Sequence, residues 1–244
     1  MRDQHPISDR FRTKIQSYFQ SGRFSDLTIR LPDGREIKAH RALVCGLSDV
    51  FENACSSNFC EAKTGVIEIT HEDSEAVELM INWMYYGDTH INVVDKAQEP
   101  IVSCLRLWIA ADFYQVPALK TVARDLLNEL LQEFEDKNSE SITSTGSIGS
   151  TASTEICKAI ELTYSSTPET EEVGPRKIIP YHCARYYKYL SESPMFRTIT
   201  VEGFWKDLSR ELHSLFDLAC PHCAVHGRDQ FQMNWELMES FWEF

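Results

Sequence analysis

Residues 24–51 read FSDLTIRLPDGREIKAHRALVCGLSDVF, and their pattern predicts two paired strands followed by a helix. Apolar and polar residues alternate over 27–31, which is the period of a strand with one buried face. The Pro-Asp-Gly sequence at 32–34 favours a turn, because proline presets φ and glycine takes a positive φ at little cost. From residue 42 to residue 51 the apolar residues fall three or four apart, which is the spacing of one helix face.

Two charged residues in this stretch lie beside apolar ones. Asp26 stands at the start of the first strand, and Arg41 follows His40 at the junction between the second strand and the helix. A charge that is buried without a partner is costly, so we predict that Asp26 and Arg41 share a site. The alternative is that Asp26 is a surface turn residue and Arg41 an exposed residue of the first helical turn.

The hairpin and the segment His40-Arg41-Ala42-Leu43-Val44 resemble the opening of a BTB/POZ domain. Later segments that resemble the same family follow in its order, at 59–62, 66–69, 76–87 and 105–119. The resemblance covers residues 23–133 and implies an α+β fold, a short β-sheet with a cluster of helices. The core residues that we expect are Leu43, Leu47, Phe51, Leu79, Trp83, and Leu107 or Trp108.

The resemblance implies a scaffold without a catalytic site, which homodimerises and recruits other proteins. Residues 1–22 should form an N-terminal helix whose apolar face holds Phe11, Ile15 and Phe19. In similar dimers this helix and the counterparts of Asp26 and Arg41 lie at or near the subunit interface. The helix could instead cover its own domain, and composition does not separate the two arrangements.

A second function is a substrate adaptor for a cullin-type ubiquitin ligase. Adaptors of the family present an apolar-x-Glu motif after the central helix, and Phe59-Cys60-Glu61 matches that motif. The resemblance therefore implies that Phe59 and Glu61 bind a partner. Transcription-related partners are the other expectation.

Composition narrows the function classes. A net charge of −13 argues against binding to nucleic acid and to anionic membranes, since both need basic surfaces. No apolar run reaches the roughly 18 residues of a membrane span, so we expect a nuclear or cytoplasmic protein with mostly reduced cysteines. No phosphate-binding glycine loop, Gly-x-Ser-x-Gly or His-Glu-x-x-His occurs, and we predict that the chain is not an enzyme.

The rest of the chain divides into two parts. Residues 134–154 are rich in serine and threonine and predict a flexible linker. Residues 155–244 show helical spacing and resemble the helical C-terminal regions of small fungal BTB-domain proteins. Within them, the aromatic residues of 231–244 favour a helix docked on its own domain, with a partner-binding peptide as the alternative.

We expect no cofactor from the sequence, apart from one candidate metal site. Cys220, Cys223 and His226 have the spacing of zinc ligands, and a tetrahedral site would need a fourth. The candidates for that fourth ligand are His182, Cys183 and His213. The alternative is a turn with reduced thiols.

Overall fold

A computed structural model describes residues 6–56, 60–70, 73–87, 97–145, 150–169 and 173–217. Within these residues the chain is mostly helical, with one small sheet near the N-terminus. No helix in this part of the chain is both long and apolar enough to cross a membrane.

The elements follow one another in a simple order. The strands are β1 (Leu27–Arg30), β2 (Glu36–Ala39) and β3 (Val66–Glu68). The helices of the N-terminal half are α1 (Pro6–Ser21), α2 (Arg41–Val44), α3 (Asp49–Ser56), α4 (Cys60–Thr64), α5 (Ser74–Tyr86), α6 (Pro100–Phe113) and α7 (Pro117–Thr145). The remaining helices are α8 (Ser150–Ser166), α9 (Pro175–Arg185), α10 (Tyr187–Leu190), α11 (Pro194–Arg197) and α12 (Glu202–Asp217).

The predicted hairpin forms two strands of a three-stranded sheet with the order β2-β1-β3. β1 pairs antiparallel with β2 and parallel with β3, so that Ile29 lies between Ile37 and Ile67. The turn contains Gly34 with a φ of +86°. On the outer face, the Arg30 guanidinium pairs with Glu36 and with Glu68 at 2.8 Å each. One face of the sheet is therefore apolar and buried, and the other is charged and solvated.

The buried residues of α5, α6 and α7 belong to the same hydrophobic cluster as those of the sheet. Asp73 caps α5, as its carboxylate accepts a hydrogen bond from the Ala76 amide at 2.9 Å. Of the expected core residues, Phe51, Leu107 and Trp108 are buried, and Leu43, Leu79 and Trp83 are partly buried against the same cluster. The prediction for Leu47 is wrong. Leu47 is 36% exposed, because α2 ends at Val44 and Leu47 lies in the connection between α2 and α3.

The predicted linker is also different in the structure. Helix α7 continues to Thr145 and α8 begins at Ser150, so residues 134–145 and 150–154 are helical. Tertiary packing at the two ends of the predicted linker favours helix there. Glu135 is buried against α9, and Ser153 and Ile156 of α8 are also buried. Packing of α8 on α6 and of α9 on α7 makes the core continuous between the two halves of the chain.

Candidate functional site

Helix α1 docks on α5 through part of its apolar face. The Phe19 ring stacks on the Tyr85 ring with centroids 3.9 Å apart, and the Gln16 amide donates to the Tyr85 carbonyl at 3.2 Å. Ile15 is partly buried against the core. Phe11, two turns before Phe19, is 63% exposed. Of the three predicted interface residues, Ile15 and Phe19 therefore hold α1 on its own chain, and Phe11 faces solvent.

A second exposed aromatic residue lies next to this helix. Phe24 is 67% exposed and has a φ of +61°, a backbone conformation that bulky residues rarely adopt. The Tyr18 ring of α1 meets the Phe24 ring edge-on at 5.0 Å, and the Arg23 guanidinium lies 5.2 Å from the same ring. The strained backbone therefore presents a large apolar side chain beside α1 and not toward the core.

His40 and Tyr85 form a buried polar pair beneath α1. The Tyr85 hydroxyl accepts a hydrogen bond from the His40 amide at 2.8 Å and lies 2.9 Å from His40 Nδ1. His40 Nε2 lies 2.9 Å from the Arg23 carbonyl, which can only accept, so Nε2 carries a proton. Burial raises the pKa of Tyr85 to about 12, so its hydroxyl is protonated and able to donate to Nδ1. Sequence reasoning missed this pair, because the two residues are 45 positions apart.

Asp26 and Arg41 do meet, but not as the buried charge pair that we predicted. The Asp26 carboxylate accepts from the Arg41 amide at 2.8 Å, and Asp26 is exposed. The Arg41 guanidinium donates to two carbonyls, those of Asp26 at 3.2 Å and Ala62 at 3.1 Å. The Arg41 side chain therefore connects α2 to the backbone at the start of β1 and to the backbone of α4.

A glycine makes this arrangement possible. Gly65 has a φ of +67°, and a Cβ atom there would lie 3.2 Å from the Asp26 carbonyl oxygen and 3.4 Å from Arg41 Nη2. Its carbonyl accepts from the Thr28 amide at 2.8 Å, which begins the pairing of β1 with β3. The glycine directly before a predicted strand was the sequence signal for this position.

The predicted partner-binding motif is only partly described. Glu61 lies in the first turn of α4 and is partly buried. Phe59 lies outside the described residues.

The C-terminal helices meet the N-terminal half through a buried charged cluster between α7 and α9. Glu135 and His182 are 3% and 4% exposed, and His182 Nδ1 lies 2.6 Å from the Glu135 carboxylate. His182 Nε2 is 3.0 Å from the Asn128 side-chain oxygen, and Arg185 Nε donates to Glu135 at 3.1 Å. The Tyr186 hydroxyl donates to the Glu135 carbonyl. A buried carboxylate is tolerated here because hydrogen-bond donors surround it, one of them the Arg185 guanidinium.

The predicted metal ligands Cys220, Cys223 and His226 lie outside the described residues. Among the residues that are described, no group of three or more potential ligands is close enough to hold a metal ion. Of the three candidates for a fourth ligand, His182 is engaged at both nitrogens and Cys183 is buried, whereas His213 on α12 is exposed.

Comparison with known proteins agrees with this architecture. The family model for the BTB/POZ domain matches residues 15–131. Over 71 residues the chain is 34% identical to Kelch repeat and BTB domain-containing protein 1 of cowpox virus and of ectromelia virus, covering 29% of this chain and 12% of each viral protein. Over 119 residues it is 27% identical to a BTB/POZ domain-containing protein of Arabidopsis thaliana, covering 48% of this chain and 40% of that protein. The BTB domain of zebrafish PATZ1 is similar in structure, with a TM-score of 0.41 and 16% identity, covering 50% of this chain and 92% of that one.

Residues 15–131, which hold the small sheet and the helices between α1 and α7, are therefore a BTB/POZ domain. Further helices follow this domain along the chain. BTB/POZ domains are modules of protein–protein interaction. The chain spans 12% to 40% of the lengths of the curated relatives above.

Proposed function

We propose that this protein is a non-catalytic interaction module that self-associates through the face formed by α1 and Phe24 and recruits protein partners. The observation that carries the proposal is that Phe11 and Phe24 are both exposed. Phe24 contacts Tyr18, which lies seven residues after Phe11 and therefore on the same side of α1. Burial of a large apolar side chain contributes about 1.5–3 kcal/mol. A two-fold axis would bring two copies of this face together.

The surroundings of this face support the proposal. Phe19, Gln16 and Tyr85 hold α1 in place, so the face is formed before any partner arrives. A rigid surface loses less conformational freedom on association than a flexible one. This rigidity suits a scaffold.

Molar mass measured by light scattering over a concentration series tests self-association. We expect the wild-type chain to be a dimer and the combined variant Phe11→Glu, Phe24→Asn to be a folded monomer, because both side chains are exposed in the single chain. Asparagine suits position 24 because it tolerates a positive φ.

The matched control is Phe113→Glu, which replaces an aromatic residue that is 56% exposed at the end of α6. The control should remain a dimer. A wild-type chain that stays monomeric at the highest concentration, or a dimer that both variants disrupt equally, would reject this face as the interface.

The second candidate function is that of a cullin-type adaptor. Its support is the Phe59-Cys60-Glu61 motif directly after α3, with Glu61 placed in the first turn of α4. A pull-down with the N-terminal part of a cullin tests it. We expect capture by the wild-type chain, loss in Phe59→Ala with Glu61→Ala, and no change in Lys63→Ala, which alters an exposed residue of the same helix. Without capture, transcription-related partners become the better proposal.

Zinc binding by Cys220, Cys223 and His226 is a further proposal, which rests on ligand spacing alone. Elemental analysis of protein purified without chelator should find about one zinc per chain, and Cys220→Ser with Cys223→Ser should abolish it. The control Cys60→Ser should keep the metal. For the location, we propose the nucleus or the cytoplasm, which microscopy of the tagged chain would test.

A further inference from the structure

The surface formed by α1 and Phe24 carries exposed cations as well as exposed aromatic rings. Lys14 lies four residues after Arg10, three after Phe11 and four before Tyr18, which places these side chains on one side of the helix. Arg10, Phe11 and Lys14 are exposed, and the Tyr18 ring meets the exposed Phe24 ring. We call this surface the α1 face, and its residues are Arg10, Phe11, Lys14, Tyr18, Arg23 and Phe24.

The cations of the α1 face differ from those of the neighbouring hairpin in lacking acidic partners. Arg30, Arg35 and Lys38 of the hairpin each pair with carboxylates. Arg23 instead lies over the Phe24 ring at 5.2 Å, and no cation of the α1 face forms an ion pair with a described residue. Such a surface suits an anionic partner that also offers aromatic rings.

The sequence contains a segment with the complementary composition. Residues 231–244, which lie outside the described residues, hold five aromatic residues and three glutamates, with no lysine or arginine. Residues 1–41 hold nine Lys or Arg against five Asp or Glu, a net charge of +4. The whole chain has a net charge of −13, so the remaining residues together carry −17. Electrostatic repulsion disfavours an acidic segment over most of the molecule and directs it to the N-terminal part.

We propose that residues 231–244 of this chain dock on the α1 face, with their glutamates beside its cations and their aromatic rings against Phe11 and Phe24. The described part of α12 ends at Asp217, so residues 218–230 connect it to the docking segment. An extended chain spans at most about 3.3–3.6 Å per residue, so this connection reaches roughly 45 Å, which is comparable with the diameter of a folded domain of this length. The tethered segment has a high local concentration and therefore competes well with separate molecules.

Docking of this segment regulates the self-association proposed above, and this consequence rests on that proposal. The α1 face holds either the segment or a second copy, because both need the Phe11 and Phe24 rings. Two bare faces also bring like charges together across a two-fold axis, whereas the glutamates of the segment meet opposite charges. The docked segment therefore favours the monomer, so that the dimer forms only at higher concentration.

Cross-linking of the full chain with a carbodiimide tests the docking, since this reagent joins a lysine amine to a carboxylate in contact with it, with loss of one water. We expect Lys14 to be joined to the glutamates of residues 231–244. A mixture of ¹⁵N-labelled and unlabelled protein separates links within one chain from links between two chains. The contact of Lys158 with Glu99, 2.5 Å apart, is the internal standard and also shows that the chain is folded.

A matched pair of variants on α1 distinguishes the α1 face from other surfaces. Arg10→Glu should lower the yield of the Lys14 link about fivefold or more, whereas Arg12→Glu should leave it unchanged, because Arg12 is exposed on another side of the helix. Phe11→Ser with Phe24→Asn should lower the yield about tenfold or more, although the reacting groups are still present. A Lys14 link that is absent, found only between chains, or unaffected by these changes while the internal standard forms would overturn the proposal.

Light scattering of a charge-reversed chain tests the effect on self-association separately. Glu236→Lys, Glu239→Lys and Glu243→Lys together should lower the dissociation constant of the dimer about fivefold or more, because the segment no longer competes. An unchanged dissociation constant would reject the competition. Wild-type and charge-reversed chains that both remain monomeric would reject the proposed self-association, whereas the Lys14 cross-link decides the docking by itself.

Discussion

At the scale of single residues, the face that we propose for association depends on polar groups hidden behind it. Tyr85 has two roles, since its ring supports Phe19 of α1 and its hydroxyl satisfies the His40 amide and ring nitrogen. His40 in turn donates to the carbonyl of Arg23, directly before the strained Phe24. The position of an exposed aromatic residue is thus set by a buried histidine and tyrosine.

Tyr85→Phe should lower the free energy of unfolding by about 1–3 kcal/mol, because it leaves buried groups of His40 without their partner. Urea denaturation followed by circular dichroism measures the change. Tyr18→Phe is the control, because the Tyr18 ring keeps its contact with Phe24 when the hydroxyl is removed. We expect this variant to change the free energy of unfolding by no more than about 0.5 kcal/mol. An unchanged free energy of unfolding in Tyr85→Phe would show that the hydroxyl does not contribute to stability.

The raised pKa of the Tyr85 hydroxyl leads us to predict that the stability of the protein depends on pH. The pKa of Tyr85 is raised from 10.0 to about 12 in the folded chain, so the folded state holds its proton where the unfolded state has lost it. The corresponding stability is complete below pH 10 and is lost as the pH rises to about 12. Wild-type stability should therefore fall more steeply over this range than that of Tyr85→Phe. Parallel curves for the two proteins would contradict the assignment.

At the scale of elements, the contact between α7 and α9 decides how the C-terminal helices are placed. Glu135 is the centre of this contact, with His182 and Arg185 on α9 as its donors. The helices approach closely enough that a cavity of only about 10 Å³ remains beside Glu135 and Cys183, room for a single water at most. We expect a polar contact in such a tight interface to favour this register of the two helices over others.

Glu135→Gln should destabilise the protein by about 1–3 kcal/mol, because the amide keeps the shape but removes the charge that His182 and Arg185 face. Thermal unfolding by calorimetry provides the measurement. Glu133→Gln on the exposed face of α7 is the control, where its carboxylate pairs with Lys137 at 2.7 Å, and should change stability by less than about 0.5 kcal/mol. Equal effects at both positions would show that burial of Glu135 is unimportant.

At the scale of the whole molecule, the BTB/POZ domain and the helices after it share one core. The Glu155 carboxylate of α8 accepts from the Ile101 amide at 2.7 Å and so satisfies a donor in the first turn of α6. Lys158 pairs with Glu99 at 2.5 Å next to it. Ile156, Cys157, Ala159 and Ile160 are buried in the same cluster. We therefore expect the described helices to unfold together with the sheet.

Ile160→Ala, a change at a fully buried position of α8, tests this expectation. It should cost about 2–5 kcal/mol, and the loss should appear in the N-terminal domain as well. Hydrogen exchange of the β1 amides reports on that domain, and these amides should exchange faster in the variant. If β1 keeps its wild-type protection while α8 opens, the two halves are separate folding units.

Local chemistry along the chain was enough to predict several of the elements. The hairpin and the N-terminal helix follow from contacts within a few residues, which a sequence displays directly. The expectation of a BTB/POZ domain rested on such segments in their order, and the family comparison confirmed it.

The tertiary structure decided which of those residues are buried and what they contact. Leu47 has helical spacing but lies outside a helix, and α7 continues through the predicted linker to Thr145 after it has packed against α9 at Glu135. His182 and Glu135 are 47 positions apart, and Asp26 reaches the backbone of Arg41 and not its charge. Periodicity shows which face of an element is apolar, but burial and pairing depend on distant segments that only folding brings together.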